Sequence, residues 1–149
     1  MKKNATASVS AGQSSVPAWT VPELLIQVLG RIRRQLNMEL AFVAEFTGGR
    51  RVFRYVGSGT SELQIVAGNS DPLDDSFCLR VADGRLPEPM TDAGLNAEAL
   101  TLPVTRALPV GAHLGVPIRF VDGRVFGTIC CFSRRPDESS RITIWRPCA

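Results

Sequence analysis

The stretch that decides the fold is Gly111-Ala112-His113-Leu114-Gly115-Val116-Pro117-Ile118-Arg119-Phe120, then Val121-Asp122-Gly123, then Arg124-Val125-Phe126-Gly127-Thr128-Ile129-Cys130-Cys131-Phe132-Ser133. Two apolar-rich runs flank an Asp-Gly pair, the strongest short-range signal for a hairpin with a two-residue type I′ turn. Both runs are apolar on successive residues, so both faces of this hairpin are buried and it lies inside a sheet. Pro117 has no N–H to give to a ladder, which predicts a bulge or an unpaired position there. Cys130 and Cys131 are neighbours in a strand and point to opposite faces, so they do not bridge or chelate together.

Upstream of the hairpin the pattern is looser. Residues 91 to 109 read as loop with one or two helical turns, and 86 to 90, with two prolines, as at most an edge strand. Asp74 to Gly84 reads as a short helix, with Asp74 and Asp75 in its first turn and Gly84 as its C-terminal cap. Residues 39 to 46 and 51 to 56 read as an earlier hairpin turned by Thr47-Gly48-Gly49-Arg50. Before it, Thr20-Val21-Pro22-Glu23 has the form of a capping box, and Leu25, Val28, Leu29, Ile32 and Leu36 follow at helical spacing, predicting an amphipathic helix over 21–37. The order helix, hairpin, short helix, loops, hairpin is that of an α+β domain on an antiparallel sheet.

Composition narrows the function classes. The 149 residues are 44% hydrophobic and 21% charged, ordinary for one globular domain. No apolar run is long enough to span a bilayer, and Lys2 and Lys3 are not followed by the apolar stretch of a signal peptide. The expectation is a cytoplasmic protein without membrane association. The net charge of +3 sits mostly at the ends, in Lys2, Lys3, Arg141 and Arg146, so the folded part is nearly neutral and no nucleic-acid surface is expected. Four cysteines without a C-x-x-C pair, and a single histidine, argue against a structural zinc site; no metal is expected, and reduced thiols are the simplest state. Gly57-Ser58-Gly59-Thr60 lacks the lysine and the following helix of a phosphate loop, and Arg31, Arg33 and Arg34 read as a solvated helix face.

Several of these pieces together resemble a GAF domain: Ser76-Phe77-Cys78, Asp83-Gly84-Arg85-Leu86-Pro87, Thr91-Asp92-Ala93, Leu102-Pro103-Val104-Thr105, and the hairpin with Gly115-Val116-Pro117-Ile118, Asp122-Gly123 and Gly127-Thr128-Ile129-Cys130. The resemblance covers residues from about 20 to about 136 and is to the form found in bacterial sensory proteins, ahead of histidine kinase or cyclic-di-GMP modules. It implies a sheet of five or six antiparallel strands with helices on both faces and a small-molecule pocket between the sheet and the loops. It places Phe77, Cys78, Val81, Asp92, Val104, Ala112, Leu114 and Val116 at that pocket or its lid, without naming a ligand or cofactor. It also implies a non-catalytic sensory role in signal transduction.

Domain boundaries follow: a flexible tail over 1–18, the GAF-like domain over 19–136, and an atypical tail over 137–149. Members of the family continue into a C-terminal helix that pairs with the first one. Here Arg141 to Ala149 carries two isoleucines, Trp145 and Pro147 and no helical face, so the expectation is a reading frame truncated or shifted near residue 140. The apolar stripe of helix 21–37 is then left to pair a homodimer or to receive a signalling protein.

Cys78 is the one candidate for chemistry. Acids at 74 and 75 would raise a thiol's pKa, which favours a packed, inert cysteine over a nucleophile. The alternative that would use Cys78 is a stand-alone reductase of free methionine-(R)-sulfoxide, a branch of GAF-like enzymes. His113, in a strand without an orienting partner in sequence, reads as a packed strand residue. Asp92 reads as either a ligand contact or the cap of the following turn.

Overall fold

The structure is a computed structural model and describes residues 20–139 and 141–142. The expected tail over 1–18 and most of the segment from Arg141 to Ala149 lie outside the described residues. A helix, α1 (Val21–Gln35), opens the chain; strands β1 (Leu40–Thr47) and β2 (Arg50–Ser58) form the first hairpin. A short strand β3 (Ser70–Pro72) and a 3-10 turn (Leu73–Asp75) lead to α2 (Phe77–Ala82). Then come β4 (Pro89–Met90), a 3-10 turn (Ala93–Leu95), α3 (Ala97–Thr101), α4 (Pro103–Ala107), β5 (Ala112–Arg119) and β6 (Val125–Ser133). The strands form one six-stranded sheet in the order β3-β2-β1-β6-β5-β4, with every neighbour antiparallel. No helix among the described residues is long and apolar enough to cross a membrane.

The late hairpin is central as its composition requires, with β6 between β1 and β5. Pro117 falls where its missing donor costs nothing. Gly115 N–H, two residues before it, bonds to Glu88 O at 3.0 Å, and β4 is too short to reach the same side at Pro117. The turn differs from the expectation. Phe120 N–H bonds to Arg124 O, Gly123 N–H bonds to Phe120 O, and Gly123 has φ +87° while Asp122 does not have positive φ. That is a three-residue loop with glycine at its left-handed position; the two-residue type I′ turn is instead Gly48-Gly49, φ +57° and +72°.

The capping box of α1 forms as its residues predict: Glu23 N–H donates to Thr20 Oγ1 at 3.4 Å and Thr20 N–H to Glu23 Oε2 at 2.9 Å. The helix stops before residue 37 because Asn37 takes φ +54° and closes a Schellman motif, Met38 N–H to Arg33 O and Asn37 N–H to Arg34 O. Arg33 is not on a solvated face: it turns inward and donates from Nη1 to Met38 O at 3.2 Å, in space left by Gly59, where a Cβ would stand 2.1 Å from that nitrogen. Leu29 is buried, and Leu25, Ile32 and Leu36 are half-buried on the same side; Val28 faces out, with Val21 and Leu24.

Each side of the sheet has its own core, sorted by strand alternation. Ala41, Val43 and Cys131 pack under α1 with Leu29, Met38 and Ile142, which is fully buried. Leu40, Phe42, Phe53, Cys130 and Phe132 pack on the other side under α2 and the loops, beside Phe77, Cys78 and Leu102. Cys130 and Cys131 therefore belong to different cores, as neighbouring strand residues must.

Candidate functional site

The predicted helix over 74–84 is broken at Ser76, and the break matters for chemistry. Leu73–Asp75 is a separate 3-10 turn; Ser76 is extended and caps α2, its Oγ accepting from Leu79 N–H at 3.1 Å. Asp74 and Asp75 thus lie outside the helix, and Cys78, in the first turn of α2, points into the sheet. What it meets there comes from other strands. Arg51 of β2 donates from Nη1 to Cys78 Sγ at 3.2 Å, and Cys130 Sγ of β6 lies 3.3 Å away.

Arg51 is only 6% exposed. A buried guanidinium must be paired, and Asp71, opposite it in the β2–β3 ladder, takes Nε at 2.9 Å and Nη2. Its plane also lies over the Phe53 ring, 4.9 Å from the centroid. The third neighbour is His113 of β5. It is 3% exposed, its ring is 5.1 Å from that of Phe77, and its Nδ1 has no hydrogen-bond partner among the described residues.

The electrostatics reverse the expectation drawn from Asp74 and Asp75. Burial opposes ionisation of Cys78, but the Cys130 thiol, the Arg51 charge and His113 outweigh it and hold the Cys78 thiol well below its ordinary range. Burial and the neighbouring Cys78 push Cys130 up instead, and its Sγ lies 3.3 Å from Thr128 Oγ1. Cys131, on the other face, is pushed up to about 12 by burial.

Above these groups is a cavity of about 30 Å³. The sheet supplies its floor, with Phe42, Arg51, His113 and Phe132; Phe77 closes one side, and Ile65, Val104 and Leu108 form the roof. The volume admits a water or two, so a larger ligand requires the roof to lift.

The candidate residues divide accordingly. Phe77 and Val104 line the cavity, Cys78 is buried behind Arg51 and His113, and Val81 packs beside them near Gly115. Asp92 caps the 3-10 turn that follows it, its Oδ1 accepting from Gly94 N–H at 2.9 Å, and does not line the cavity. Ala112 and Leu114 are corrected outright: they face α1 in the opposite core, and Val116 shares their side of β5 by alternation. The parity of β5 differs by one residue: His113 lines the cavity, and Gly115 shares its side of the strand. The sequence pattern does not mark Arg51, Phe42, Ile65, Leu108, Val110 and Phe132 as cavity residues. An arginine inside the alternating strand 51–56 was the available signal, because a charge on an inward-facing position has to serve a partner.

Among the described residues, no group of three His, Cys, Asp or Glu side chains is gathered as a metal site. The GAF domain family model matches residues 19–146, nearly the whole chain. The chain belongs to the GAF domain family. Solved GAF-type structures share the architecture. The chromophore-binding domain of an unusual bacteriophytochrome from R. palustris superposes with a TM-score of 0.62 at 14% identity, over 80% of this chain and 48% of that one. This GAF domain thus spans about half the length of that fragment. The phycocyanobilin-bound GAF domain of a cyanobacterial phytochrome gives 0.60 at 11% identity, covering 84% of this chain and 79% of that one. Type II free methionine-R-sulfoxide reductase from Thermoplasma acidophilum gives 0.55 at 15%, covering 83% and 85%. At these identities the likeness is one of fold. No curated protein matches the sequence.

Proposed function

We propose that this GAF domain is a non-catalytic sensor of a small molecule in bacterial signal transduction, acting in the cytoplasm. The observation that carries the reading is the cavity between the sheet and the loops, whose walls are apolar apart from Arg51 and His113. A ligand with an apolar body and one polar group would match such a lining. Phytochrome domains that share the fold are described as binding a chromophore, which supports a ligand-binding role for this fold. Binding would lift Ile65, Val104 and Leu108 and so shift the loops between two arrangements.

The test is native mass spectrometry and absorption of the purified chain, followed by calorimetry with whatever is carried over. A retained small molecule whose affinity falls in His113→Phe supports the reading. A chain that carries nothing and shows no thermal shift with a broad metabolite panel overturns it.

A second reading, a reductase of free methionine-(R)-sulfoxide, is favoured by one observation: Cys78 accepts from Arg51 and touches a second thiol. Turnover with a thiol reductant that vanishes in Cys78→Ser would establish it; absence of turnover removes it.

A further inference from the structure

Cys78 and Cys130 are both free thiols, presented to each other by α2 and the central strand β6 with 3.3 Å between their Sγ atoms. A disulfide bond is about 2.0 Å long, so a closure of roughly 1.3 Å joins them. The pair is chemically asymmetric. Cys78 accepts from the guanidinium of Arg51, which Asp71 holds in place; Cys130 lies beside Thr128 Oγ1, and burial keeps its proton on. A thiolate stabilised by a cation is a nucleophile, and a neighbouring protonated thiol is suited to resolve what it forms. The fixed charge of Arg51 also disfavours a metal cation between the two sulfurs.

The way in selects the reactant. Arg51, which touches Cys78, also lines the cavity, whose volume of about 30 Å³ admits a molecule the size of hydrogen peroxide with the roof in place, whereas a larger ligand enters only when the roof lifts. We infer that Cys78 and Cys130 form a peroxide-responsive dithiol, in which hydrogen peroxide oxidises Cys78 and Cys130 resolves it to a disulfide. This deepens the sensory reading and rests on it for the route through the cavity.

The balance is complete with peroxide as the only oxidant. The Cys78 sulfur attacks one peroxide oxygen; the S–O bond forms, the O–O bond breaks, and the departing hydroxide takes the proton of Cys130 to leave as water. The Cys130 thiolate then attacks the Cys78 sulfur, forming S–S and breaking S–O. The second hydroxide combines with the proton that Cys78 released on ionising. Two sulfurs are each oxidised by one electron, and one peroxide becomes two waters.

The test is to reduce the full chain, expose it to hydrogen peroxide at neutral pH, and map the cysteines by peptide mass spectrometry. A Cys78–Cys130 cross-link, formed while Cys131 stays reduced, supports the inference. Cys130→Ser should instead leave a sulfenic acid on Cys78 that a dione probe captures, and Arg51→Gln should slow oxidation about tenfold, with recovery at high pH. Should Arg51→Gln not fold, Arg51→Lys keeps a charge and should retain most of the rate. Cys78 and Cys130 remaining reduced while other cysteines oxidise overturns the inference, as does linkage of a different pair. A ligand found by calorimetry without any cross-link leaves the sensory reading standing and this inference fallen; a cross-link with no other ligand does the reverse for the metabolite.

Discussion

Asp71 and Arg51 face each other across the β2–β3 ladder, Nε to Oδ1 at 2.9 Å with Nη2 on the second oxygen, and this clasp aims the guanidinium at Cys78. The strand carrying Asp71 is only three residues long, so the ion pair holds the edge of the sheet as much as it holds the arginine.

Asp71→Asn removes the charge that balances a buried guanidinium. Breaking a fully buried pair costs about 3–5 kcal/mol. The Asp71 side chain is 37% exposed, so solvent takes over part of its work and the loss should be about 2 kcal/mol. Urea unfolding reads it; a midpoint equal to the parent's would show that Arg51 is held by the thiol and the aromatic rings alone.

Gly127→Ala should be the most damaging single-methyl change in the sheet. A Cβ at this position would lie 1.8 Å from the carbonyl oxygen of Ala44 on β1, and backbone cannot yield as a side-chain tip can. The expected loss is about 3 kcal/mol or more, seen as a lowered Tm or failure to accumulate folded protein. Gly48→Ala, at φ +57° with nothing within 4 Å, should cost only about 1 kcal/mol.

Glu39 makes stability pH-dependent. Hydrogen bonds from Arg134, Nη2 at 2.6 Å and backbone N–H at 2.7 Å, hold its carboxyl below the ordinary value of 4.5. The folded state therefore binds this proton less readily than the unfolded chain. Its contribution is present above that ordinary value and is lost as pH falls through the lower folded value. Denaturant midpoints measured from about pH 6 to about pH 3 should fall, and Glu39→Gln should flatten the fall; an unchanged slope would assign acid sensitivity to other carboxylates.

The outer face of α1 carries Val21, Leu24 and Val28, 69%, 51% and 42% exposed, at the spacing of one helical stripe. The stripe expected to pair two copies, Leu25, Val28, Leu29, Ile32 and Leu36, is instead taken up by the sheet at Leu29, Ile32 and Leu36, and we propose that a homodimer uses this outer face. Light scattering should report a homodimer that Leu24→Glu converts to a monomer without loss of helicity; a strict monomer at high concentration would leave this face for a different protein.

Much of the architecture was legible in residue order. The Asp122-Gly123 pair between two apolar runs located the central hairpin, and Thr20 with Glu23 located the start of α1, because both signals act over a few residues. Turn type was less so: Gly48-Gly49 and Asp122-Gly123 look alike in sequence, and the backbone path of the strands on either side decides between them. The parity of β5 is hidden in the sequence for a similar reason. A strand buried on both faces has no polar side to mark which is which, so Ala112, Leu114 and Val116 could not be told from His113 and Gly115.

The sequence by itself determined the fold family, the sheet's central strands and the separation of Cys130 from Cys131, all consequences of short-range periodicity. Only the tertiary structure brought Arg51, Cys78, His113 and Cys130 together, from β2, α2, β5 and β6. The sign of the field at Cys78 depended on that assembly. Two acids adjacent in sequence turned away outside the helix, while an arginine 27 residues upstream came within 3.2 Å. Coulomb interactions follow distance through space and the dielectric between charges, and neither is written along the chain.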